Sequence, residues 1–179
     1  TSDKVDVGAY DAGFNLGYKF TAPFKAELGF EYLSGKDQND TDTKVKSFTP
    51  LFGTNHGFNG LMDYFYVGNH KNSVGLQDIY TKFIFDKNKW QVTLSPHLFY
   101  SAASVYNMTT LEEQDNYLGT EIDLTATYKL DKNFVISGGV SKMFASDTME
   151  VLKGGNNNNC NNWAWVMVSF NPQLFTYKK

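Results

Sequence analysis

Polar and apolar residues alternate along most of this chain. Between Asp6 and Phe20, apolar side chains that begin at Tyr10 alternate with polar ones such as Asp11 and Lys19. Because successive side chains of a β-strand point to opposite faces, this period of two predicts a strand with one apolar and one polar face. Six further segments carry the same pattern, although it is weakest in the last, so the sequence predicts an all-β fold of about seven strands.

The segments between the predicted strands alternate in length. Short turns of about three residues occur at 21–23, 86–88 and 131–133. The long connections lie near 34–75, 102–116 and 145–162. Outer-membrane barrels show this alternation, with short periplasmic turns and longer external loops. The predicted fold is therefore a transmembrane antiparallel up-and-down β-barrel.

Seven strands do not complete such a barrel. Bacterial single-chain barrels have an even strand number with both termini in the periplasm, and unpaired strand edges are not tolerated in lipid. With the short turns in the periplasm, this chain begins outside and ends inside. We therefore expect residues 1–179 to be the single C-terminal part of a larger barrel of roughly 16–18 strands, with further strands before Thr1. Its partners would be outer-membrane lipid and the remaining strands of the same barrel.

Aromatic residues follow the predicted strand ends. One group lies beside the short turns: Tyr18, Phe20, Phe24, Phe83, Phe85, Trp90, Tyr128 and Phe134. A second group lies near the long connections: Tyr10, Phe30, Tyr32 and Tyr100. Two such rows are typical of the girdles at the two membrane–water interfaces, which places the chain in the bacterial outer membrane.

Composition excludes several other classes of protein. The net charge is −3 and all 16 basic residues are lysine, whereas a protein that reads nucleic acid is expected to carry a basic stripe that includes arginine. No stretch reaches the roughly 18–20 apolar residues of a spanning helix. The single cysteine, Cys160, cannot form an internal disulfide.

The polar faces of the predicted strands carry charges that a dry core would make costly and that a water-filled lumen tolerates. The predicted lumen-lining residues are Asp11, Lys19, Lys25, Glu27, Glu31, Asp78, Lys82, His97, Glu121, Asp123 and Lys129. One hypothesis is that opposed acidic and basic rows create a transverse field that favours polar solutes. The other, which is compatible with it, is that these charges form salt bridges that rigidify the wall.

The first long connection is rich in aromatic residues, which an exposed loop would not normally carry. Phe52, His56, Phe58, Tyr64 and Tyr66 are candidates for a constriction folded into the lumen or for a carbohydrate-stacking platform. The alternative that we favour is a short loop helix packed on the inner wall or on a neighbouring loop.

Neither a metal site nor a catalytic site is predicted. Asp37, Asn39, Asp40 and Asp42 offer oxygen ligands of the kind that Ca²⁺ prefers, but the glycine and terminal glutamate of an EF-hand loop are missing, which favours a solvated acidic loop. His97 lies near serines on a predicted polar face, yet no nucleophile motif accompanies it. We therefore expect no metal, no cofactor and no enzymatic activity.

Two segments of the chain resemble a known family. The segment FTPLFGTNHGFNGLMDYFYVGNHKNSVGLQDIY, residues 48–80, and the closing stretch NWAWVMVSFNPQLF resemble the outer-membrane alginate-export-like family of Bacteroidota. The resemblance implies a large porin-type barrel with passive passage of polar or acidic solutes. The exporter that gives the family its name has an arginine-rich, positive lumen, whereas this chain has no arginine and a predicted lumen of mixed charge.

The sequence therefore predicts a porin-like outer-membrane channel for polar or charged solutes, with oligosaccharides as one candidate class and other outer-membrane proteins as candidate partners. Two alternatives stay open. An outer-membrane barrel enzyme would gather His with carboxylates or Ser at the external rim. A soluble β-barrel or β-sandwich binding module would place the aromatic face inside and the charged face in water.

Overall fold

A computed structural model describes residues 4–50, 52, 56–57, 59–65, 73–175 and 177. In this part of the chain seven strands and one helix follow one another: β1 (Asp11–Lys19), β2 (Phe24–Leu33), β3 (Leu76–Lys87), β4 (Trp90–Tyr100), β5 (Tyr117–Lys129), β6 (Phe134–Ala145), α1 (Asp147–Lys153) and β7 (Asn161–Phe170). The structure is all-β apart from α1, as the alternating pattern predicts.

The seven strands form one antiparallel sheet in which each strand pairs with its neighbour in sequence. The predicted seven-stranded meander is therefore confirmed. The sheet is open, with β1 at one edge and β7 at the other, and it does not close into a barrel. Tight turns join one end of the sheet, at 20–23, 88–89 and 130–133, and long connections join the other end, at 34–75, 101–116 and 146–160.

Strand register gives the sheet two chemically different faces. Cross-strand partners such as Glu27 with Lys82 and His97 with Glu121 lie on one face, which we call the polar face. Partners such as Phe14 with Phe30 lie on the other, which we call the apolar face. The alternation in each strand places most polar side chains on one side of the sheet and most apolar side chains on the other.

Solvent exposure of the two faces is the reverse of the usual arrangement in a soluble protein. On the apolar face Leu16 is 66% exposed and Val166 is 80% exposed, whereas Asp78 and Glu121 on the polar face are fully buried. The polar face is covered because residues 59–65 of the first long connection fold across it, where Asn59 contacts Asp78 and Leu61 contacts Glu121.

A small hydrophobic core lies where the polar face meets the long connections. Phe65 packs against Phe99 with ring centroids 4.8 Å apart. The other buried members of this cluster are Leu33, Leu76, Leu118, Met143 and Met149. Met149 comes from α1, whose N-terminus is capped because the Ser146 hydroxyl accepts a hydrogen bond from the Met149 amide. This core fixes residue 65 of the loop to the sheet.

Two details differ from the alternating pattern. The predicted first strand begins at Asp6, but β1 begins at Asp11 because Asp6 and Gly8 form backbone hydrogen bonds with Val45 instead. The pattern also places Leu118 on the apolar face beside Ile122. A register shift opposite residues 99 and 100 turns Leu118 into the buried core.

Within the residues that the structure describes, no helix has the length and apolar character needed to cross a membrane.

Candidate functional site

The polar face beneath residues 59–65 is the candidate functional site. Strand register places all eleven of the predicted lumen-lining residues on this face. The structure gathers five of them into one cluster, which we call the acidic cluster: Glu31, Asp78, His97, Glu121 and Asp123. The remaining six, Asp11, Lys19, Lys25, Glu27, Lys82 and Lys129, lie elsewhere on the same face.

His97 is the centre of the acidic cluster. Its Nδ1 lies 3.0 Å from both carboxylate oxygens of Asp78, and its Nε2 lies 3.9 Å from Asp123 Oδ2. The imidazole ring stacks between Tyr80 and Phe99, with centroid distances of 5.4 and 5.6 Å. Rings on two sides and carboxylates at both nitrogens therefore fix the orientation of this buried side chain.

The acidic cluster holds the loop against the sheet through carboxyl oxygens that accept hydrogen bonds. The Asn59 side-chain amide donates to Glu31 Oε2 at 2.5 Å and to Asp78 Oδ2 at 3.2 Å. The backbone amides of Leu61 and Met62 both donate to Glu121 Oε1, at 2.6 and 2.9 Å. These four hydrogen bonds are the principal polar attachment of the loop to the cluster.

Gly60 allows the loop to approach this closely. Its φ is +77°, and a Cβ at this position would lie 2.5 Å from Glu121 Oε1. Gly57 also has a positive φ, +80°, but a Cβ there would meet only the Leu61 side chain at 3.7 Å. The requirement for glycine at residue 60 is thus both conformational and steric.

The charges on the polar face separate along the strands. The acidic cluster lies towards the long connections, whereas Lys19, Lys25 and Lys129 lie beside the short turns. On this sheet the charge therefore varies along the strand direction, and the hypothesis of opposed rows across a lumen stays a prediction. Among the described lumen-lining residues, the one lysine–carboxylate ion pair joins Lys25 to Glu27 at 3.4 Å.

A cavity of about 330 Å³ lies between the loop and the polar face. Gly57, Gly60 and Leu61 form its roof. Its floor and walls come from β2 to β5: Glu27, Lys82, Ile84, Gln91, Thr93, Ser95, His97, Asp123 and Thr125. Five of these side chains are neutral hydrogen-bonding groups or hydrocarbon, so the cavity is polar without being uniformly charged.

The aromatic candidates of the first long connection are divided by the structure. Phe52 is 93% exposed. His56 Nδ1 lies 2.8 Å from Asp63 Oδ2, and its ring contacts Trp163 at 5.5 Å. Tyr64 is half-buried beside the core, and burial raises its pKa. Phe58 and Tyr66 lie outside the described residues, and the described residues between 34 and 75 contain no helix.

The acidic loop is tied to lysine. Lys46 Nζ lies 2.6 Å from Asp40 Oδ2 and 3.5 Å from Asp42 Oδ2, and the hydrogen bond from Lys46 lowers the pKa of Asp40. Asp37 instead accepts a hydrogen bond from the Ser104 amide. In the part of the chain that the structure covers, no group of three or more His, Cys, Asp or Glu side chains is arranged to hold a metal ion.

Several contributors to the site were not predicted. The Asn59–Gly60 dipeptide is a turn signal that could have drawn attention to this position. The amides of Leu61 and Met62 carry no signal in the sequence, because any residue supplies a backbone N–H. Trp165 was assigned only to an apolar strand, yet its ring lies against Gly139 on the polar face, where a Cβ would be 2.6 Å from Nε1.

Comparison with known proteins identifies no relative: no protein-family model matches the chain, and no curated protein matches it. The function is therefore argued from the geometry of the sheet and its polar face.

Proposed function

We propose that this chain is part of the wall of a larger outer-membrane β-barrel that lets polar solutes pass without an energy source. One observation carries the proposal: an apolar face is exposed across all seven strands, while the face that bears the eleven predicted lumen-lining side chains is partly covered by its own loop. Soluble monomers rarely expose apolar patches larger than a few hundred Å². A lipid environment outside and water inside match the two faces.

Aromatic contacts support a bilayer of defined thickness. At the short-turn end of the apolar face, ring pairs follow one another across the sheet: Tyr18 with Phe20, Phe24 with Phe85, Trp90 with Tyr128, and Phe134 with Phe170. At the other end, Tyr10 pairs with Tyr32, and Tyr100 with Tyr117. Rings at two levels separated by aliphatic side chains fit the two membrane–water interfaces.

The open edges of the sheet support a larger barrel. The outer edges of β1 and β7 present backbone groups that lipid cannot hydrogen-bond, so further strands must satisfy them in a membrane. We propose that the complete barrel has roughly 16–18 strands, as general porins do. The resemblance to the alginate-export-like family of Bacteroidota is consistent with this size and with the bacterial outer membrane.

The docked loop would narrow the passage. Residues 59–65 extend over the polar face and are attached by Asn59, by two backbone amides and by the packing of Phe65. In the proposed barrel this segment projects from the wall into the lumen. With acids towards the external side and lysines towards the periplasmic side, the wall favours polar and charged solutes over apolar ones.

The geometry supports the two alternatives less well. A soluble binding module needs the aromatic face inside, whereas here that face is exposed. A barrel hydrolase needs a histidine beside a nucleophile. Both ring nitrogens of His97 face carboxylates, and in the described part of the chain no hydrogen bond joins His97 to a serine hydroxyl.

The proposal is tested by reconstituting the complete polypeptide into planar lipid bilayers and recording ionic current. We expect discrete, long-lived conductance steps that need no energy source, together with swelling of liposomes in small polar solutes. Heat-denatured protein is the control. A folded, membrane-inserted protein that gives no conductance and no solute uptake would overturn the proposed channel.

A further inference from the structure

The cavity beneath the loop has the chemistry of a small-molecule site. Its volume of about 330 Å³ lies at the lower end of the range for ligand pockets, which suits one or two sugar rings. Neutral groups that both donate and accept hydrogen bonds line one side: Gln91, Thr93, Ser95 and Thr125. Thr93 and Thr125 are direct cross-strand partners, so their hydroxyls stand side by side on rigid strands.

Apolar groups also line the cavity. Ile84 lies beside its cross-strand partner Thr93, and Leu61 contributes to the roof. The edge of the His97 ring, which stacks with Tyr80 and Phe99, borders the cavity as well. A ligand for this cavity therefore combines hydroxyl groups at its edge with C–H groups on its faces, which is the character of a pyranose ring.

The charges around the cavity favour a neutral ligand. Glu27 and Asp123 line it against the single cation Lys82, whose Nζ lies 5.2 Å from the centroid of the Tyr80 ring. An anionic solute would meet net repulsion here, because like charges in a site of low dielectric interact strongly.

A buried carboxylate adds a hydrogen-bond acceptor to the cavity wall. Asp123 is 2% exposed and lines the cavity. An acceptor of this kind suits a ligand that brings hydroxyl donors.

We propose that this cavity is a binding subsite for neutral sugars on their way through the channel. The inference rests on the proposed function, because the cavity is reached from the lumen when the polar face lines a water-filled passage. It names the solute class as an uncharged, polyhydroxylated ring and assigns recognition to the hydroxyls of Thr93, Ser95 and Thr125 and to the carboxylate of Asp123.

The test combines bilayer recording with calorimetry on the complete polypeptide in detergent, with maltose and glucuronate as probes. The double variant Thr93→Val with Thr125→Val removes two hydroxyls at nearly constant shape. Thr81→Val is the matched control, because Thr81 lies on the apolar face opposite Leu28. In the wild type we expect maltose to bind and to block the current in a saturable way. The maltose affinity should be at least about fivefold weaker in the double variant and unchanged in Thr81→Val.

The outcomes separate the subsite from the channel. Normal conductance without saturable maltose binding overturns the subsite and leaves the channel standing. Calorimetric maltose binding without conductance overturns the channel and supports the subsite. Glucuronate binding as tight as maltose binding refutes the assignment to neutral sugars, as does equal affinity in the wild type and the double variant.

Discussion

Phe65 is the apolar attachment of the loop, so replacing it with alanine should release the loop from the polar face. The side chain is 5% exposed, and it packs on Phe99 in a cluster that also contains Met149 of α1. The substitution leaves the strands intact because Phe65 belongs to a connection. Its effect is therefore expected on loop docking, with the pairing of the sheet unchanged.

The magnitude follows from the burial of this ring. Truncation of a buried Phe to Ala costs about 3–5 kcal/mol in comparable cores. Because about 1.4 kcal/mol corresponds to a factor of ten, the undocked fraction of the loop should rise by a factor between about 10² and 4 × 10³. Local opening of this kind exposes the amides of Leu61 and Met62, which in the docked state donate to Glu121.

Hydrogen–deuterium exchange read out by mass spectrometry measures this opening directly. In Phe65→Ala, peptides that cover residues 59–65 should exchange faster by about the same factor, while peptides from β4 and β5 keep their protection. Single-channel conductance should also rise, because the segment leaves the lumen. Phe52→Ala is the control from the same connection, since Phe52 is 93% exposed. Unchanged exchange at residues 59–65 in Phe65→Ala would refute the docking of the loop through this ring.

Three further predictions concern the polar attachment of the loop and the acidic loop. Glu121→Leu removes the carboxyl acceptor of two backbone amides, at about 0.5–1.5 kcal/mol for each hydrogen bond, so exchange at Met62 should accelerate; unaltered protection would contradict this. Gly60→Ala should undock the loop, because the new Cβ clashes with the Glu121 carboxyl and the left-handed backbone adds about 1–2 kcal/mol of strain. Gly57→Ala is the control that carries the backbone strain without the clash. Equal effects of the two variants would show that the clash is unimportant. Lys46→Met should return the lowered pKa of Asp40 towards 3.8 in NMR titrations, and an unshifted titration would argue against the ion pair.

The direction of the last effect follows from linkage. The pKa of the Asp40 carboxyl in the folded state lies below its ordinary value. The pairing of Asp40 with Lys46 therefore stabilises the loop fully at pH values above the ordinary pKa, and this stabilisation is lost as the pH falls through the lowered pKa. Both groups lie at the surface, with side-chain exposures of 38% for Lys46 and 17% for Asp40, and the contribution is therefore small and sensitive to salt. Lys46→Met should lose this acid dependence, because no partner remains for the ionised carboxyl.

Strand number, strand order and the identity of the two faces could be predicted from the sequence, because a period of two is a local signal that each strand carries by itself. Local irregularities could not. The register shift that turns Leu118 inwards depends on how β5 meets β4, and the pairing of Gly8 with Val45 joins residues far apart in the chain. Neither feature changes the alternation of polar and apolar residues in the sequence.

The candidate site was predictable in part for the same reason. The alternating pattern placed Asp78, His97 and Glu121 on one face, but it could not show that they converge beneath a loop. That convergence depends on backbone amides and on the close approach at Gly60, which are set by tertiary contacts. The hypothesis of opposed charge rows stays a prediction, because a field across a lumen also depends on the charges of strands outside this sheet.

The central claim is that the apolar face meets lipid and the polar face meets water. Val166 and Met167 are neighbours on opposite faces of β7, and both are well exposed, at 80% and 50%. Single cysteines at these positions, in a Cys160→Ser background, would be labelled in outer-membrane vesicles with a membrane-impermeant thiol reagent and with a lipid-phase probe. The account predicts aqueous labelling at 167 and lipid-phase labelling at 166. Aqueous labelling at 166, or the reversed pattern, would contradict it.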